Sequence, residues 1–168
     1  MEIDGLPLHP LVIHLAIGLV PLSALAAVAL VLLHKPRWLI RWVAMLATFG
    51  AIGAVMLARV TGASLLRDRP FLTSDPRLND LLGTHQDRAD LLLVAVIILT
   101  VLVVVAFAAL PAPSALASRR FAHAGVPRRW LPPVLTVAVL AAAGFAVVMV
   151  MLTGHAGATA VWDIPEGG

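Results

Sequence analysis

Cysteine is absent from this chain, and with it go disulfides, thiolate catalysis and any zinc or iron–sulfur site held by sulfur. A metal would have to be held by histidine. Charge is scarce: 12% of the 168 residues are Asp, Glu, Lys or Arg, and no polar stretch is long enough to fold as a second, soluble domain. Serines occur at Ser23, Ser64, Ser74, Ser114 and Ser118 without a nucleophile-elbow context. The segments GTHQDR and TGHAGA lack the lysine and the preceding strand of a phosphate loop. These absences point to a carrier or accessory subunit rather than an enzyme. The isoelectric point near 11.0 comes from two short basic loops with no interleaved aromatic patch, so nucleic acid is not an expected partner.

What is present is apolar. Hydrophobic residues make up 61% of the chain, and the mean hydropathy is +0.99, which belongs in a bilayer. Four stretches, 11–33, 39–60, 91–110 and 134–152, satisfy the length of about 20 apolar residues that a spanning helix needs. The expected fold is all-α: one integral membrane domain, a four-helix bundle of two antiparallel hairpins. Its helices are expected at about 10–33, 39–60, 85–110 and 132–153, with connecting loops at 61–84 and 111–131; within the former, Ser74 or Asp75 is expected to cap Pro76, and RLNDLL to form a short helix that runs through Gly83 into helix three or kinks there. The first stretch opens with Glu2 and Asp4 instead of a basic region and is expected to be retained, not cleaved as a signal.

Loop charge predicts orientation. Lys35, Arg37 and Arg41 mark the first connection, Arg119, Arg120, Arg128 and Arg129 the third, and neither holds an acid. The positive-inside rule makes both cytoplasmic and puts both termini outside. The nine acidic residues, among them Asp68, Asp75, Asp87, Asp90, Asp163 and Glu166, fall on the other side. Trp38, Trp42 and Trp130 mark the inner interface and Trp162 the outer one. The expected location is a bacterial inner membrane. Small residues in helix two (Ala47, Gly50, Ala51, Ala54) and helix four (Ala138, Ala141, Ala142, Gly144) predict close helix packing. Thr61-Gly62 and Thr153-Gly154 are expected to close helices two and four, giving a faint duplication of one hairpin.

Chain reversal gathers four of the six histidines at the outer surface: His9, His14, His85 and His155. His14 lies one turn inside helix one, where an ionisable side chain is a functional hypothesis by default. Gly18 and Pro21 share its face and would leave a flat strip beneath the imidazole. Next to Pro10, His9 also reads as a helix cap. Three chemistries fit the cluster. A haem b needs two axial imidazoles, supplied by His14 with His85 or His155, and cations for its propionates, supplied by Arg59 and Arg88. A zinc or copper site would use His14, His85 and His155, completed by His9 or Asp87. A quinone or proton site would use the titration of histidine near neutral pH. Against the cations stands a simpler reading, in which Arg59 and Arg88 snorkel or pair with Asp87 and Asp90.

The opening LPLHPLVIHLAIGLVPL, the Thr61-Gly62 pair, the histidine before helix three and the closing TGHAGATAVW resemble a bacterial four-helix membrane family, the domain of unknown function 2231. The resemblance covers nearly the whole chain, and its most specific part is His9-Pro10 followed by His14. Some members continue into a Rieske iron–sulfur domain, which implies an accessory redox role. In the family pattern His14 and His85 match best, whereas His155 stands where other members often differ. The expected function is haem b binding for electron transfer beside a redox protein or respiratory complex. The alternatives are a zinc or copper site, and a cofactor-free subunit that packs against partner helices or a second copy.

Overall fold

The computed structural model describes residues 2–3 and 6–162. The sides expected for Asp4, Asp163 and Glu166 therefore fall outside the described residues. Four long helices make up most of the described residues: α1 (Leu8–Leu32), α2 (Arg37–Asp68), α3 (Pro76–Ala109) and α4 (Leu131–Trp162). Each is long and apolar enough to cross a bilayer. Before α1, β1 (Glu2–Ile3) pairs antiparallel with β2 (Leu6–Pro7), and a 3-10 turn, Pro70–Thr73, precedes α3. The outward faces are as apolar as the core, with Leu25, Leu46 and Val137 about two-thirds or more exposed. In water such a surface would aggregate; in lipid it is solvated.

The helices run past their expected ends. Thr61-Gly62 and Thr153-Gly154 do not terminate α2 and α4, which continue to Asp68 and Trp162. Both threonine hydroxyls turn back on their own helix, Thr61 Oγ1 donating to the Leu57 carbonyl at 2.9 Å and Thr153 Oγ1 to that of Met149 at 2.7 Å. That bond adds to the helical pattern and does not close it. α3 starts at Pro76: of the two expected courses, the helix that begins there runs through Gly83 into the apolar span without a break, so the bound near residue 85 is too late. The Asp75 carboxylate caps it by accepting from the amides of Arg77 at 2.8 Å and Leu78 at 3.1 Å. Pro132 and Pro133 lie in the first turn of α4, as expected.

Around the bundle, α1 packs on α2 and α4, α3 packs on α4 and α2, and α1 meets α3 across the diagonal. The two hairpins bury the same register. Ala16, Val20, Ala24, Ala27 and Leu30 of α1 correspond, 76 positions on, to Leu92, Val96, Thr100, Val103 and Ala106 of α3, all buried. Ala44, Thr48, Ala51, Val55 and Thr61 of α2 correspond, 95 positions on, to Val139, Ala143, Ala146, Val150 and Ala156 of α4, again all buried. The molecule is thus a duplicated hairpin in packing. The added residues of the second copy lie in its long connection, 110–130.

That connection also fastens the basic end of the bundle. Arg37, 3% exposed, donates from Nε to the Leu30 carbonyl at 2.9 Å, from Nη2 to Val31 at 3.1 Å and from Nη1 to Pro111 at 3.0 Å. It satisfies free carbonyls at the end of α1 and ties them to the long connection. His123 Nε2 donates to the Ala108 carbonyl at 2.7 Å, and the Val126 amide to that of Ala109 at 2.8 Å. Gly125 makes this return with φ +71°, where a Cβ would lie 2.6 Å from the Pro111 nitrogen.

Candidate functional site

At the opposite end, where α1 and α3 begin, the structure brings together two histidines of the expected four. His9 stands in the first turn of α1 and His85 on α3, both half-buried. Their ring centroids are 6.4 Å apart, with planes inclined at 77°. His9 Nδ1 lies 3.0 Å from the Ala58 carbonyl of α2, and His85 Nδ1 lies 3.0 Å from the Thr153 carbonyl of α4. A carbonyl only accepts, so each Nδ1 carries a proton and donates it. Thr61 Oγ1, 3.3 Å from His9 Nδ1, shares that proton. In the neutral ring the lone pair is then on Nε2, which has no hydrogen-bond partner among the described residues for either histidine.

The two halves of the site are built alike. One turn beyond each accepting carbonyl stands a glycine whose missing side chain makes room for the ring. A Cβ on Gly62 would lie 3.2 Å from His9 Cε1, and one on Gly157 would lie 3.1 Å from His85 Cε1. The histidines fall at matching positions of the 76-residue register, and Ala58 with Gly62 match Thr153 with Gly157 in the 95-residue register. Aligning the hairpins on Thr61-Gly62 and Thr153-Gly154, as the sequence invites, puts them one turn out. The signal that finds the true register is the pair of histidines, not the repeated dipeptide.

The other expected residues are elsewhere. His14 is exposed, and its Nδ1 donates to the Pro10 carbonyl of its own helix at 2.7 Å. Its strip with Gly18 does lie on one face, but that face is the outer surface of α1: Gly18 is exposed, and a Cβ there would touch nothing within 4 Å. His14 and His85 are therefore not brought together. His9 does not cap α1, since its ring is bonded across to α2. His155 sits on an exposed face of α4, lining a shallow cleft of about 200 Å³ with Leu81, Thr84, Arg88 and Thr159. Arg59 pairs with Asp90, and Arg88 Nη1 donates to the Leu152 carbonyl at 3.0 Å. Asp87 is exposed. Among the described residues no three histidine or acidic side chains converge as a metal cage would need.

Two imidazoles with fixed Nδ1 protons and free Nε2 lone pairs can bind one metal from two sides, or pass a proton between them. No curated protein and no solved structure matches the chain. A family model described as "Predicted membrane protein (DUF2231)" matches residues 5–165. That match spans the bundle from before α1 to beyond α4, as the opening histidine–proline motif led one to expect, and the chain belongs to this family of membrane proteins.

Proposed function

We propose that this chain is a haem b-binding electron-transfer protein in which His9 and His85 would hold the haem iron. The observation that carries the reading is the 6.4 Å separation of two imidazoles whose Nε2 atoms are both unused. His9 and His85 would hold the iron through Nε2, and a ring separation of this order is compatible with two imidazoles that share one metal at bonds of about 2.0–2.1 Å. A closed zinc or copper site asks the protein for three or four ligands; a haem iron asks for two, because the porphyrin supplies the rest. Two are brought together here.

When bound, haem iron supplies one-electron redox chemistry. The chain's own residues do the rest. The Ala58 and Thr153 carbonyls hold the Nδ1 protons, which fixes the ring orientations and makes each Nε2 a stronger donor. Gly62 and Gly157 let the rings sit against α2 and α4. Arg88, one turn along α3 from His85 and held by its bond to the Leu152 carbonyl, would be the cation to compensate a propionate. The excess of basic residues in the loops at the opposite end supports a cytoplasmic position for that end, and with it an outward-facing histidine pair and termini in a bacterial inner membrane. An electron donor or acceptor at that surface, a redox protein or respiratory complex, completes the function.

The test is an optical spectrum of the protein purified in mild detergent after expression with ample haem, oxidised and dithionite-reduced, with pyridine haemochrome on the same sample. The expected result is one haem per chain with a sharp low-spin reduced α-band, lost in His9→Ala and in His85→Ala and kept in His14→Ala. A haem-free wild-type protein, or a band lost with His14 and kept without His9, overturns the assignment.

A further inference from the structure

The two half-sites match at the histidine, the accepting carbonyl and the glycine, and they part at the residue before the glycine. There the buried Thr61 of α2 corresponds, in the 95-residue register, to the buried Ala156 of α4. The Thr61 hydroxyl turns its own proton to its helix, where Oγ1 lies 2.9 Å from the Leu57 carbonyl and 3.0 Å from that of Ala58. Its oxygen is thereby left to face the His9 ring as an acceptor, 3.3 Å from Nδ1. The His9 Nδ1 proton thus has two acceptors, the hydroxyl and the Ala58 carbonyl. Among the described residues the His85 Nδ1 proton has the Thr153 carbonyl alone.

The departure is reciprocal. Leu57 corresponds in the same register to Leu152, whose carbonyl is also taken, but by a different group: Arg88 Nη1 of α3 donates to it at 3.0 Å. In the first hairpin the place of Arg88 is held by the buried Val12, 76 positions earlier. One carbonyl is therefore served by a neutral hydroxyl that also touches His9, and its counterpart by a cation one turn along α3 from His85. An acceptor on an imidazole N–H raises the basicity of the other ring nitrogen, whereas a nearby cation lowers it. Both differences act in the same direction.

We propose that Thr61 is a positioning residue that makes the two imidazoles unequal, holding His9 as the firmer ring and the stronger donor through Nε2 and leaving His85 the weaker of the pair. The inequality belongs to the chain itself; its consequence for an iron rests on the haem reading. Under that reading Thr61 favours the oxidised state, since the stronger donor suits the more positive metal.

The experiment is hydrogen exchange of the ring Nδ1 protons, read by NMR on the full chain with isotope-labelled histidine, purified in mild detergent without haem. His9→Ala and His85→Ala assign the two signals. The His9 proton is expected to exchange more slowly than that of His85. Thr61→Val is expected to speed the His9 exchange about fivefold, the weight of one neutral hydrogen bond, and to leave His85 unchanged. Thr61→Ser keeps the hydroxyl and is expected to keep the wild-type rate. Ala156→Ser supplies the missing hydroxyl to the other hairpin and is expected to slow the His85 exchange, so the test stands even where Thr61→Val does not fold. With haem loaded, Thr61→Val is expected to raise the reduction potential and Thr61→Ser to leave it near that of the wild type. Equal rates for the two rings, or rates unmoved by Thr61→Val and Ala156→Ser, overturn the proposal. A protein that shows the exchange pattern but takes up no haem supports it and overturns the haem reading alone.

Discussion

A methyl group placed on Gly157 would lie 3.1 Å from Cε1 of His85. This contact fixes how far the imidazole sinks towards α4, and the equivalent contact of Gly62 with His9 fixes the other ring against α2. Gly157→Val and Gly62→Val therefore overpack the site, and each is expected to destabilise the protein by about 1–3 kcal/mol, read as a lowered melting temperature in detergent. Gly154→Val and Gly53→Val are the controls, since nothing lies within 4 Å of a Cβ at either position. Equal losses in controls and test variants would assign the effect to helix propensity instead.

Arg37 is expected to resist even conservative replacement. Its planar fork reaches three carbonyls from two elements, whereas a lysine ammonium is a single point that cannot span them. Arg37→Lys leaves buried carbonyls unpaired and is expected to cost roughly 1.5–3 kcal/mol. Thermal unfolding compared with Lys35→Gln, an exposed neighbour, checks it.

Gly125→Ala combines two faults. The residue would have to hold φ +71°, and its Cβ would meet backbone at 2.6 Å, which a side-chain adjustment cannot relieve. The expected result is a loss of about 1–3 kcal/mol together with faster proteolysis in the 110–130 connection, because the strain is local to it. Unchanged protection from protease would refute the clash.

The ion pair of Arg59 with Asp90 contributes little. Its side chains are 36% and 61% exposed, and a pair so open to solvent is worth about 0–1 kcal/mol. Asp90→Asn is expected to shift the melting temperature by no more than a degree or two, and to leave Arg59 free to snorkel. A large shift would mean that the pair is shielded by lipid in the native membrane.

Much of the architecture was legible because lipid imposes it. Four apolar stretches of spanning length can only be helices, and short connections make neighbours antiparallel. The C-terminal ends of α2 and α4 were not legible. Thr61-Gly62 has the composition of a terminus, yet the hydroxyl bonds within the helix and the glycine serves a ring on another helix. The histidine pair was half legible: reversal of the chain put His9, His14 and His85 at one end, but which of the first two turns inward depends on the rotation of α1. An all-round apolar helix such as α1 carries almost no facial asymmetry to reveal that rotation. Only the acceptors on α2 and α4, distant in sequence, decide it.

The division of the histidine pair between two similar hairpins also sets an order of events during synthesis. Once α2 has followed α1 into the membrane, His9 already has its carbonyl and its glycine. His85 obtains its own only when α4, the fourth of these helices, is in place. Each ring is thus oriented by its own hairpin before the hairpins need to meet, and the two imidazoles come face to face only when two parts that are each already formed dock on one another.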